Sequence, residues 1–80
     1  MAKNEDTVER VIALAAQRFA RSAGDLAPGD DVFESLGIDS VQVLELLSEL
    51  ENELEIELPD YELRNVKTFA QLAAAIDRRL

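Results

Sequence analysis

Residues 36–60 read LGIDSVQVLELLSELENELEIELPD, and the fold turns on how this run divides. Gly37 is a natural stop for whatever precedes it, Asp39 is a capping type, and Ser40 opens an apolar run at helical spacing, which predicts Ser40 as the helix-start serine. At about 100° per residue from Val43, the side chains of Leu47, Leu50 and Leu54 fall within about 40° of one line, with Leu46 flanking them. That line is the expected core face. Val41, Glu45, Ser48 and Asn52 lie opposite, flanked by Glu49 and Leu44, so acids and two apolar side chains share a water-facing surface that suits a partner. Residues 53–58 alternate like a strand, but a lone strand has nothing to pair with. They read as the end of the helix followed by an extended stretch that turns Ile56 and Leu58 inward.

Upstream, Asp6 and Glu9 have capping-box spacing ahead of the stripe Val8, Val11, Ile12, Ala15, Ala16 and Phe19, which predicts a helix over 6–21 with Gly24 as its stop. Residues 22–39 form a long connection in which Pro28-Gly29 marks a turn. Leu26, Val32, Phe33, Leu36 and Ile38 make it too apolar for a free linker, so it is expected to be pinned to the core, with a short turn from Asp31 that Gly37 ends. Downstream, Pro59-Asp60 starts a short helix over about 60–65, and Thr68 with Gln71 makes a capping box for a helix over about 68–79. The expected fold is all-α: a small four-helix bundle of three long helices and a short third one, with a long loop between the first two. Eighty residues suit one domain, 1–80, either free-standing, as Met1 and the compact length suggest, or part of a larger synthase.

Composition narrows the chemistry. The chain has no cysteine and no histidine, hence no disulfide, no thiol nucleophile, no ordinary neutral-pH base and neither of the softest metal ligands. No catalytic residue and no metal site is expected; a hydrolase built on Ser40 would lack its base. A calcium-binding loop is excluded because the acids between Asp25 and Glu34 have the wrong spacing. The formal net charge is −9, and from Asp25 to Glu62 there are acids but no Lys or Arg, so the middle of the chain reads as a field of one sign. Such a field argues against nucleic acid and anionic membrane as partners and favours basic proteins. No signal peptide or apolar span of ~18 residues is present, and a cytoplasmic protein is expected.

Ser and Asp before an apolar run are ordinary capping residues, and taken alone they say no more than that. In company they say more. The segment G-I-D-S-V (residues 37–41), followed by an acidic amphipathic helix and then the turn Leu58-Pro59-Asp60, resembles the acyl carrier protein family over nearly the whole chain. The resemblance implies that Ser40 carries 4′-phosphopantetheine, transferred from coenzyme A by a separate Mg²⁺-dependent phosphopantetheinyl transferase, and that Asp39 helps present the helix start. The thiol of that group would hold thioester-linked intermediates for fatty acid, polyketide or related biosynthesis. Val41, Leu44, Glu45, Ser48 and Glu49 would dock the transferase and the acyl- or aminoacyl-loading, condensing and processing enzymes through their basic patches, with the carrier acting as a monomer. Leu47, Leu50, Leu54, Ile56, Leu63 and Ile76 would line a shelter for the cargo. Against the family pattern, Val41 replaces the usual Leu, Gln42 stands where an acid is common, and Ser48 and Asn52 also depart. The alternatives are a free-standing peptidyl carrier, against which D-S rather than G-G-x-S weighs, and an unmodified acidic helical adaptor, which has no need of Ser40.

Overall fold

The computed structural model describes the backbone of residues 3–79 and the side chains of residues 6–59, 61 and 63–79. The first apolar stripe forms α1 (Lys3–Arg18) and buries Val8, Val11, Ile12, Ala15 and Ala16. The helix starts before the expected residue 6, so Asp6 stands inside it and the Asp6/Glu9 pair is not its capping box; an acid near the first turn complements the positive helix end instead. It also ends sooner. Ala20 takes a left-handed φ of 55°, and the Arg21 N–H closes onto the Ala16 carbonyl at 2.8 Å. The chain therefore turns at Ala20, while Gly24 lies in a single 3-10 turn (Ala23–Asp25).

The long connection is pinned, as its composition requires. Asp31 caps the one-turn helix α2 (Val32–Leu36) by accepting the Glu34 N–H at 3.0 Å, and Gly37 ends it in the left-handed region. Leu26, Val32 and Leu36 are buried. Phe33 is not: Val32 and Leu36, four apart, take the inward face of this single turn and leave Phe33 exposed. Backbone hydrogen bonds fasten the loop to the stretch around residues 67–70 that opens the last helix, from Val32 N–H to the Lys67 carbonyl (2.7 Å) and from Ala70 N–H to the Pro28 carbonyl (2.8 Å). An isolated antiparallel bridge joins Asp31 to Thr68.

The run at 36–60 gives α3 (Ser40–Leu54), whose buried residues are Leu46, Leu47 and Leu50. Val43 and Leu54 are half-buried and line depressions towards either end of the helix, so its deepest line runs nearer Leu46 than the apolar spacing suggests. Glu55 then turns left-handed (φ 55°), the Ile56 N–H reaches the Glu51 carbonyl at 3.1 Å, and buried Leu58 donates its N–H to the Glu51 carboxylate at 2.8 Å. The alternating residues 53–58 thus split into helix end and inward-turning stretch. Helix α4 (Asp60–Leu63) is one turn, and α5 (Phe69–Asp77) opens on the Thr68/Gln71 capping box. Both are shorter than expected, since Arg64, Asn65, Arg78 and Arg79 lie in turns. Helix α5 packs chiefly against α1, and Thr7 near the start of α1 donates its hydroxyl to Asp77 at the end of α5. The two helices run antiparallel. The result is a small all-α bundle, with no strand among the described residues.

Among the described residues three helix ends use a left-handed residue, and glycine occupies only the one at Gly37. An L-residue in that conformation costs about 1–2 kcal/mol. Ala20→Gly and Glu55→Gly are therefore each expected to raise stability by about 1 kcal/mol, or about 4–8 °C in Tm for a domain of this size. Gly24→Ala should change little, because an added Cβ there meets nothing within 4 Å. Thermal melts by circular dichroism check all three; lower melting of the two glycine variants would contradict the account.

Candidate functional site

The start of α3 is built by Asp39. Its carboxylate accepts the Gln42 N–H at 2.9 Å, and the Gln42 side-chain oxygen accepts the Asp39 N–H at 3.2 Å, a reciprocal capping box. The N-cap is thus Asp39, and Ser40 is the first residue inside the helix rather than its cap. Gln42 is the reciprocal partner that the sequence had marked only as a missing acid. Ser40 is exposed, and its hydroxyl has no side-chain partner among the described residues. Of the first-turn donors, Gln42 is taken by the Asp39 carboxylate and Val43 by the Asp39 carbonyl at 3.0 Å. Among the described residues the N–H groups of Ser40 and Val41 meet no acceptor, at the positive end of a fifteen-residue helix, where an attached anion is favoured. Asp39→Ala should cost about 1 kcal/mol, with Asp39→Asn close to wild type. Urea titration checks this, and an equal loss in the Asn variant would contradict the cap.

Down the outer face of α3, Val41 and Leu44 are 64% and 57% exposed, and Ser48 is exposed with them. Glu45 and Glu49 point outward too, but they are not free. Arg18, the last residue of α1, places Nη1 2.7 Å from Glu49 Oε2 and Nη2 3.5 Å from Glu45 Oε1. The hydrogen bond with Glu49 is the largest cause holding the Arg18 guanidinium above its usual range, partly opposed by desolvation and aided by the charges of both acids. A one-signed middle therefore exists along the chain but not in space. At the other end of α3, Arg79 lines a surface groove with Glu51 and Glu57 and donates to the Tyr61 hydroxyl at 2.9 Å.

The six residues expected to line a cargo shelter do not meet in one space. Leu47 and Leu63 do border an apolar cavity, with Val32, Phe33, Val43, Val66 and Leu72. Leu50 and Leu54 instead line a groove against α1, Ile56 lines the open polar groove by Glu51, and Ile76 is fully buried in the core. The cavity is about 60 Å³, far below the ~300 Å³ of an ordinary ligand pocket. Among the described residues no group of acids is placed to hold a metal ion, and no helix is long and apolar enough to cross a membrane.

A helical bundle that offers an exposed serine at the positive end of an acidic helix has the layout of a carrier domain, and the family profile described as "Phosphopantetheine attachment site" matches residues 9–76. The acyl carrier protein of Helicobacter hepaticus is 35% identical over 72 residues, covering 90% of this chain and 95% of that protein. The chain belongs to the acyl carrier protein family. Phosphopantetheine is the group such carriers bear, and phosphopantetheinyl transferases and biosynthetic enzymes are their general partners.

Proposed function

We propose that Ser40 is the attachment residue and that the protein carries acyl or polyketide intermediates between separate enzymes. The supporting observation is the exposed Ser40 hydroxyl on the first turn of α3, with open backbone N–H groups beside it. In attachment, the Ser40 hydroxyl gives up its proton to water, its oxygen bonds to the phosphorus that carries pantetheine in coenzyme A, the pyrophosphate bond breaks, and adenosine 3′,5′-bisphosphate leaves. The bound group supplies a thiol, which the chain itself lacks. Asp39 contributes by fixing the first turn, so that Ser40 is presented in one geometry. Val41 and Leu44, with Ser48 between flanking acids, form the face on which the transferase and the processing enzymes dock.

An acyl cargo is favoured over an aminoacyl one by the D-S start and by the name of the Helicobacter hepaticus relative. The test is charging of the phosphopantetheine-bearing form by a malonyl transferase and, separately, by a set of amino-acid-adenylating enzymes. Malonyl thioester alone is the expected product. Aminoacyl thioester alone would make this a peptidyl carrier and overturn the acyl assignment.

A further inference from the structure

The pairing of Arg18 with the docking face shows what that face is shaped to hold. Glu45 and Glu49 are one helical turn apart, so their carboxylates stand side by side on the surface of α3. Between them lies a single guanidinium, with one nitrogen directed to each acid at 3.5 and 2.7 Å. A planar fork of donors fits this spacing, whereas an ammonium meets it as a point charge.

The hold on Arg18 is also built to be released. The side chains of Arg18, Glu45 and Glu49 are 33%, 54% and 41% exposed, so moving the guanidinium into water strands no buried charge. Arg18 is the last residue of α1, two positions before the left-handed turn at Ala20, and its guanidinium carbon lies 5.9 Å from the centre of the Phe19 ring. That ring offers a resting place when the carboxylates are taken.

We propose that Glu45 and Glu49 form a pincer for one guanidinium, that Arg18 fills it in the free protein, and that the phosphopantetheinyl transferase docks by replacing Arg18 with an arginine of its own. This rests on the docking role given above to the outer face of α3. Recognition is then an exchange of cations: the acids stay paired before and after docking, Arg18 lowers the affinity of every basic partner alike, and Val41 and Leu44 supply the apolar contact that decides among partners.

The test compares wild type, Arg18→Gln and Arg18→Lys as substrates of a broad-specificity phosphopantetheinyl transferase with coenzyme A and Mg²⁺. Arg18→Gln should raise kcat/KM by about threefold at low ionic strength, through KM with kcat unchanged, and the gain should fade towards ~1 M salt, where the screening length is ~3 Å. Arg18→Lys should fall between the two. Arg10→Gln, which changes net charge equally on the same helix, should show no comparable gain. In a Glu45→Gln/Glu49→Gln background the Arg18→Gln gain should vanish. No gain in Arg18→Gln, an equal gain in Arg10→Gln, or a gain that survives removal of both acids overturns the exchange and leaves the carrier function standing. Failure of wild type to accept phosphopantetheine overturns the carrier reading and the exchange with it.

Discussion

Ser40→Ala is expected to accept no phosphopantetheine while folding as the wild type does. The other hydroxyls are poorly placed to substitute. Ser35 donates to the Asp31 carbonyl at 2.5 Å, Thr7 is buried against Asp77, and Thr68 is committed to capping α5. Ser48 is exposed, but it sits in the middle of α3, where backbone N–H groups are used within the helix. Ser22 is exposed at the head of a three-residue 3-10 turn, which offers no comparable dipole. Removing one exposed hydroxyl that has no side-chain partner should leave stability within about 0.5 kcal/mol of wild type. Loss of labelling beside an unchanged urea midpoint would separate the loss of a site from the loss of a fold; full labelling of the variant would place the group elsewhere.

Phe69→Ala carries the largest expected effect on stability. The ring is fully buried at the first residue of α5, immediately after the Thr68 cap, and its N–H bonds to the Asp30 carbonyl at 3.3 Å. It therefore sits where the long connection, the bridge from Asp31 to Thr68 and the start of α5 meet. Truncating a buried Phe to Ala costs about 3–5 kcal/mol, and a core of this size rarely supplies more than about 3–5 kcal/mol. The variant should be largely unfolded at 37 °C, with helical circular dichroism mostly lost, while Phe69→Leu should stay folded with a reduced melting temperature. A cooperative melt of the Ala variant within a few degrees of wild type would show that Phe69 is not a keystone of the core.

What could be read from the sequence was local. The spacing of Val8, Val11, Ile12 and Ala15, and of Leu46, Leu47 and Leu50, marks two buried faces that the structure contains, and the side chains at Asp31 and Thr68 cap the helices that follow them. Asp39 and Ser40 were legible as a helix start for the same reason, although which of the two is the cap depends on a hydrogen bond. What failed depended on the rest of the molecule. Nothing in an alanine or a glutamate announces a left-handed helix end, yet Ala20 and Glu55 adopt one where the Arg21 and Ile56 N–H groups close onto the Ala16 and Glu51 carbonyls. Phe33 is apolar by composition but has no inward position left on a single turn shared with Val32 and Leu36. The charge of α3 departs furthest from the sequence pattern: Arg18 is 27 residues from Glu45 along the chain and in contact with it in space, a pairing that spacing arguments do not reach.

The role of Ser40 is tested most directly by site-resolved mass spectrometry of the wild-type chain after incubation with coenzyme A, Mg²⁺ and a phosphopantetheinyl transferase shown to be active on another carrier. The account predicts one added phosphopantetheine, located on Ser40 in the peptide that joins Gly37-Ile38-Asp39 to the first turns of α3. An unchanged mass, or the group found on any residue other than Ser40, would contradict it.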